Sequence, residues 1–163
     1  MTAPEPTEST ESTEPAAPDV LDRARTLIAT NGLYKGPFVD RDQHRADGRP
    51  WRACALCPAG AIALVCGLDP WDWVHLGPPD PAQRAAATAL LLLLEHLQRR
   101  GQIPVVETHP LRLVGEWTDA PQRTATDVLI ELRLAAEYGR EQPVPDPDDL
   151  ERPAPPQSDP TEE

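Results

Sequence analysis

The stretch "PAQRAAATALLLLLEHLQRR", residues 81–100, carries the longest helical pattern in the sequence and decides the fold class. Asp80 and Pro81 suit a helix N-cap and the first helical position, and Gly101 follows the last turn as a stop signal. The run Leu90–Leu94 places leucine on every side of the helix. Because a helix that is apolar all round is normally buried, the sequence predicts that this helix lies at the centre of the domain.

Three shorter helices complete the predicted set. They cover residues 20–32, 58–66 and 125–139. Asp19 and Thr124 suit the N-cap, and Pro58 suits the first helical position, which makes Cys57 the N-cap of the second of these helices. Thr124 also has an aspartate, Asp127, three positions later, which is the spacing of a capping box. Each segment carries apolar residues at helical spacing, so each is expected to bury one face against the central helix.

The connections between these helices are predicted to be irregular. Turn signals lie between Phe38-Val39 and Trp51, and these two positions could pair as a short β-hairpin. Residues 102–117, "QIPVVETHPLRLVGEW", are predicted as loop or short strand. The expected fold class is therefore mostly α: a single small domain of about four helices, with irregular connections and room for one short β-hairpin.

The two ends of the chain differ in composition from the rest. Residues 1–18 and 141–163 are rich in Pro, Glu, Ser and Thr, and they hold twelve of the 27 acidic residues but one of the 15 basic residues. Segments with so few large apolar side chains cannot offset the entropy lost on ordering. The sequence predicts two disordered acidic tails around a helical globular domain at residues 19–140, whose own formal charge is close to zero.

Charge and hydropathy argue against several classes of function. Acidic arms repel phosphate groups and the sequence has no basic stripe, so nucleic-acid binding is not expected. No apolar run reaches the roughly 20 residues that span a bilayer, and no secretory signal is visible. An odd number of cysteines without such a signal favours a reduced, cytoplasmic protein.

All three cysteines lie within "WRACALCPAGAIALVCG", residues 51–67, and zinc binding is one interpretation of them. Cys54 and Cys57 have the spacing of half a structural zinc site. The other candidate ligands do not form a second pair: Cys66, His44 and His75. A lone CxxC is weak evidence, so neither a metal nor another cofactor is expected.

Catalysis and core packing are the other interpretations of the cysteines. A thiol at a helix N-cap lies at the positive end of the helix dipole, which favours a lowered pKa. Cys57 would then be the nucleophile, with His109 as base and Asp119 as orienting group, both in predicted non-helical connections. Free cysteine also packs like a small apolar residue, and we favour that interpretation. Trp71 and Trp73 are likewise assigned to the core rather than to a partner-binding patch.

Three short motifs in a fixed order resemble one known family. They are Gly32-x-x-x-Gly36, Cys57-x-x-Gly60-Ala61-Ile62 and Trp117-Thr118-Asp119 with the following Arg123-Thr124. The order is similar to that in small proteins of actinobacteria and their phages grouped as domain of unknown function 6197. Leu33 stands where that family usually has an aromatic residue, and Thr118 where it usually has asparagine.

The resemblance covers most of residues 19–140 and implies a set of recurring family positions: Gly36, Cys57, Gly60, Trp117, Asp119, Arg123 and Thr124. It brings no known activity with it. Physical chemistry suggests structural roles for most of these positions. Gly60 is expected to permit a close helix contact, and Asp119 and Arg123 are expected to form a charge-assisted pair.

The sequence therefore predicts a non-catalytic interaction or regulatory accessory protein, whose partner is another protein. The prediction rests on the lack of a phosphate-binding loop, of a complete metal-ligand set and of a basic stripe in the sequence. The alternative is a cysteine-dependent hydrolase or transferase that uses Cys57 at a helix N-terminus.

Overall fold

The structure, a computed structural model, describes residues 14–71, Trp73 and residues 80–142. Six α-helices lie within these residues: α1 (Ala17–Asn31), α2 (Arg41–Asp47), α3 (Pro58–Val65), α4 (Pro81–Arg99), α5 (Pro110–Asp119) and α6 (Ala125–Glu141). One 3-10 turn covers Trp51–Ala53. The mostly α fold class is confirmed, and the described residues contain two more helices than expected.

Helix α4 lies at the centre of the domain, as its leucine run predicts. It packs against α1, α3, α5 and α6, and Leu93 and Leu97 on it are fully buried. Asp80 and Gln83 close a capping box at its start. The expectation that the leucine run is enclosed on every side is wrong for Leu91, which is 51% exposed because it borders an open cavity.

The largest helix–helix contact joins α1 to α6. Arg140, near the end of α6, donates hydrogen bonds to the carboxylates of Asp19 at 3.0 Å and Asp22 at 2.6 Å, near the start of α1. Helix α1 begins at Ala17, so Asp19 lies in the first helical turn and is not the N-cap as predicted. The earlier start has a simple cause, because Pro18 fits the first turn of a helix, where its missing N–H is not needed.

The predicted β-hairpin between Phe38-Val39 and Trp51 is wrong. Instead, Leu56 makes two isolated bridges, a parallel one to Leu33 and an antiparallel one to Val39, while Trp51 begins the 3-10 turn. Residues 55–57 are thus held between two other backbone segments. This arrangement fixes the chain immediately before α3.

Helix α2 lies inside a predicted connection. It buries no residue, so it has no apolar periodicity that the sequence could reveal. Its start is nevertheless capped, because the Asp40 side chain accepts hydrogen bonds from the backbone N–H groups of Asp42 and Gln43. At its end, Gly48 adopts a left-handed conformation with φ of 63°.

Helix α5 replaces the second half of the loop or strand predicted at residues 102–117. Pro110 lies in its first turn, and Leu113, Val114 and Trp117 form its buried face. The helical signal in the sequence is weak because Gly115 lies in the middle of this ten-residue helix and glycine disfavours helix interiors. Helix α5 contacts α3 and α4, and this packing compensates for the low propensity.

Candidate functional site

A cavity of about 520 Å³ lies between residues 36–38, the start of α3 and helix α5. Its walls are mostly apolar side chains, including Phe38, Pro58, Leu111 and Val114. The volume falls within the range of pockets that bind small ligands or single large side chains. The cavity is therefore large enough to receive a group from another molecule.

All three residues of the catalytic hypothesis line this one cavity. Cys57 comes from the N-cap of α3, while His109 and Asp119 come from the two ends of α5. Gly36, another of the motif positions, also lines it. Residues that are up to 83 positions apart in the chain are thus brought to one place by the packing of α5 against α3.

The thiol of Cys57 is buried and neutral. The residue is the N-cap of α3, as predicted, and its sulfur accepts a hydrogen bond from the Gly60 N–H at 3.4 Å. Burial raises the pKa of this thiol above the ordinary value; the backbone N–H groups oppose that shift, and the Asp119 charge adds to it. The expectation that the helix start lowers the pKa is therefore wrong, because desolvation outweighs the helix-end donors.

Gly60 permits a close contact, but its neighbour is a loop rather than a helix. A Cβ atom at this position would lie 2.1 Å from the Phe38 carbonyl oxygen, which also accepts a hydrogen bond from the Cys57 N–H. Phe38 itself has a φ of 61°, a conformation that costs energy for a bulky residue. Its ring meets the half-buried Trp71 edge-on, with the centroids 4.9 Å apart.

His109 and Asp119 share the cavity with Cys57 but are not linked to it by hydrogen bonds. His109 is exposed and caps α5: its Nδ1 accepts from the Leu111 N–H at 3.3 Å, so a neutral ring carries its proton on Nε2. Asp119 is exposed at the last position of α5. Both residues thus belong to helix ends rather than to the predicted loop. Across the part of the chain that the structure describes, the Asp119 carboxylate makes no hydrogen bond or ion pair.

Gly115 also lines the cavity, and it was not among the candidate site residues predicted from the sequence. A Cβ atom added to it would have no heavy atom within 4 Å, so the space beside it is open. Gly139 in α6 is different, since a Cβ there would lie 2.5 Å from Leu92 and 2.9 Å from Pro18. Packing explains glycine in α6 but not in α5. The only sequence signal for Gly115 was its place inside an apolar periodic segment.

Trp117 and Arg123 form a structural unit beside the cavity rather than part of its wall. The Trp117 indole is buried and donates to the Gln102 side chain at 3.0 Å. The Arg123 guanidinium lies 4.4 Å from the indole ring centroid and donates to the Trp117 carbonyl. The predicted ion pair between Asp119 and Arg123 is therefore wrong, because the guanidinium is engaged by Trp117.

The capping box at the start of α6 is confirmed. The Thr124 hydroxyl accepts from the Asp127 N–H at 3.1 Å, and the Asp127 carboxylate accepts from the Thr124 N–H at 2.8 Å. The hydrogen bond from the Thr124 N–H, followed by the contribution of the Thr124 hydroxyl, holds the pKa of the Asp127 carboxyl below its ordinary value. The role of Thr124 is thus to begin α6.

A buried polar network, which the sequence did not reveal, ties α4 to α6. The Glu131 side chain is 7% exposed and lies 2.7 Å from the His96 Nε2 atom. Gln102 donates to the second Glu131 oxygen at 2.7 Å and accepts from Trp117. Arg100 lies 3.2 Å from the carboxylate as well. Both carboxylate oxygens of Glu131 have a partner, so the network stabilises the contact between α4 and α6.

The three cysteines do not form one metal site. Cys54 is buried with its thiol 3.5 Å from the Pro50 carbonyl oxygen, and Cys66 is the C-cap of α3. His44 stacks on Trp51, and His75 lies outside the described residues. Within the described ranges, no three His, Cys, Asp or Glu side chains lie close enough together to hold a metal ion.

None of the helices in the described part of the chain has the length and hydropathy needed to cross a membrane.

Comparisons with known proteins identify the family but no activity. No curated protein and no solved structure matches the chain. The model of a family of unknown function, DUF6197, matches residues 12–138, which include all the motif positions named above. The chain therefore belongs to this family of unknown function, DUF6197.

Proposed function

We propose that this protein is a non-catalytic binding domain that takes an apolar side chain of a partner protein into the cavity between α3 and α5. The observation that carries the proposal is the open space beside Gly115. A glycine inside a helix costs about 1 kcal/mol relative to alanine, and no close contact at this position requires the residue to be glycine. A binding role accounts for the cost, because a side chain at this position would occupy the cavity.

The strained loop at Phe38, which also lines the cavity, supports the same proposal. Phe38 adopts a left-handed conformation that is uncommon for a large side chain. Such strain concentrates at functional sites, where the surrounding structure holds it in place. Phe38 and Gly115, which both depart from ordinary backbone preferences, thus line one cavity, which is the pattern of a site rather than of a core.

The second candidate function is cysteine-dependent catalysis, and the shared cavity of Cys57, His109 and Asp119 is the observation in its favour. Two features count against it. The thiol pKa is raised rather than lowered, and the His109 Nδ1 atom is already an acceptor for the backbone of α5. A nucleophilic cysteine needs a thiolate and a base with a free nitrogen. We therefore favour binding over catalysis as the function.

Peptide selection tests the binding proposal. Phage-displayed random dodecapeptides are selected against the wild-type chain, a Gly115→Phe variant that fills the cavity and an Ala29→Phe variant. Ala29 is exposed on α1 and does not line the cavity, so it controls for the added ring. We expect peptides with bulky apolar residues to be enriched on the wild type and on Ala29→Phe but not on Gly115→Phe. Equal enrichment on all three would refute the proposal.

Alkylation of Cys57 separates the two candidates. The rate of alkylation by iodoacetamide is measured as a function of pH in a variant with Cys54→Ala and Cys66→Ala. The same variant with Cys57→Ala as a third substitution is the blank. The binding proposal expects slow alkylation that increases only above the ordinary thiol pKa of about 8.5. A fast reaction with a midpoint well below that pH would show a reactive thiolate and favour the enzyme.

A further inference from the structure

The cavity has an uncompensated negative charge at its edge. Three of its lining residues are formally charged: Arg112, Glu116 and Asp119. The Arg112 Nε atom donates to the Glu116 carboxylate at 2.8 Å, so these two neutralise each other. The Asp119 carboxylate is left without an ion-pair partner among the described residues. The lining of the cavity therefore has a net charge of about −1.

Two cations near Asp119, Lys35 and Arg123, are engaged elsewhere. The Lys35 ammonium donates to the carbonyl of Ala120, the residue after Asp119, at 2.9 Å. The Arg123 guanidinium lies on the Trp117 ring and donates to the Trp117 carbonyl. Neither Lys35 nor Arg123 lies within ion-pair distance of Asp119. The Asp119 carboxylate is thus available to a group that arrives from outside.

The position of Asp119 at the end of α5 makes this carboxylate a favourable place for a cation. The C-terminal end of a helix carries a partial negative charge, so a carboxylate there is normally unfavourable. A bound cation would interact favourably with both the carboxylate and the helix end. The Asp119 charge also reaches across the cavity, since it contributes to the raised pKa of the Cys57 thiol.

A second apolar cavity argues for a peptide rather than a small molecule. A cavity of about 230 Å³ lies on the other side of the α5 start and shares His109 and Leu111 with the first. Its wall includes Leu91, whose side chain is half exposed. An extended chain with two apolar side chains can occupy both cavities at once. Such a chain can also present a charged side chain to Asp119.

From this charge complementarity we infer that the partner segment carries a lysine or arginine beside its apolar anchor, and that this cation pairs with Asp119. The inference rests on the proposed binding function. Asp119 selects the basic residue, and the apolar walls hold the anchor. The pair lies at an exposed position, so it affects the choice of partner more than the total affinity.

The test extends the peptide selection to two charge variants. Asp119→Asn removes the carboxylate, and Glu137→Gln makes the same change in net charge at an exposed position of α6 that does not line the cavity. We expect lysine and arginine next to a bulky apolar residue in peptides selected on the wild type and on Glu137→Gln. The Asp119→Asn variant keeps the apolar preference and loses the basic one.

A double-mutant cycle on one enriched peptide then tests for direct contact. Replacing its basic residue with glutamine is expected to weaken binding about two- to fivefold on the wild type and not on Asp119→Asn. Apolar peptides without a basic preference, or an equal loss on both proteins, would overturn the inference and leave the binding function intact. If no peptide depends on an open cavity, as judged by Gly115→Phe, the binding function itself fails.

Discussion

Replacing Gly115 with alanine is expected to make the protein more stable. The residue lies in the interior of α5, and a methyl group there meets no heavy atom within 4 Å. The change removes the conformational freedom that glycine has in the unfolded chain and adds no clash. The gain is about 0.5–1 kcal/mol in the free energy of unfolding. For a domain of this size, that corresponds to a rise of roughly 2–6 °C in Tm.

Gly139→Ala is the matched control for this prediction, since it makes the same substitution in a helix whose neighbours are close. Its methyl group would lie 2.5 Å from Leu92 and 2.9 Å from Pro18. Overpacking of this kind typically costs 1–3 kcal/mol, which is about equal to or greater than the gain in helix propensity. We therefore expect Gly139→Ala to be neutral or less stable than the wild type.

Urea unfolding and thermal melts, both followed by circular dichroism at 222 nm, measure the two effects. The reasoning requires Gly115→Ala to be more stable than the wild type and Gly139→Ala to be no more stable than it. If Gly115→Ala is destabilised, the space beside the residue is filled in solution, and the argument for a binding cavity loses its main support. A gain in stability with weaker peptide binding would instead show that the glycine serves function at the expense of stability.

Three further predictions concern the residues that shape and support the cavity. Gly60→Ala places a methyl group 2.1 Å from the Phe38 carbonyl oxygen, so we expect a loss of about 3 kcal/mol or more in urea unfolding; a stable variant would mean that residue 38 can move. Gln102→Leu leaves the Trp117 indole N–H and a Glu131 oxygen unpaired, at a cost of about 1–3 kcal/mol each, whereas Gln98→Leu, at an exposed hydrogen bond, should cost much less. Because the pKa of Asp127 is lowered in the folded state, its contribution is present above the ordinary carboxyl pKa of about 3.9 and is lost as the pH falls through the folded value. The stability difference between the wild type and Asp127→Ala should therefore shrink on acidification, and a constant difference down to pH 2 would contradict this.

Local signals in the sequence predicted the parts of the fold that depend on neighbouring residues. Each of three features follows from residues that are close together in the sequence. They are the capping box of Thr124 and Asp127, the N-cap at Cys57 and the central position of α4. Helix α2 has capping residues, Asp40 and Gly48, but no apolar pattern, because it buries no side chain. The weak signal of α5 comes from one glycine, whose low propensity is overridden by packing against α3 and α4.

The arrangement of the candidate site depended on contacts that no spacing reveals. Residue chemistry was enough to select Cys57, His109 and Asp119, and the structure places all three at one cavity. It was not enough to predict that the thiol would be buried or that the His109 Nδ1 atom would cap α5. Both outcomes follow from tertiary packing and hydrogen-bond geometry.

The hydrogen bonds of Arg140 to Asp19 and Asp22 have a consequence for the organisation of the whole chain. They hold the end of α6 beside the start of α1, so the two ends of the described domain are neighbours in space. The acidic segments at residues 1–13 and 143–163 are therefore attached to adjacent points. A partner that binds acidic sequence would therefore meet both segments together, and the chain would act towards it as a bivalent ligand. The same proximity predicts that a short linker could join residues 14 and 142, with new termini opened elsewhere in a circularly permuted chain.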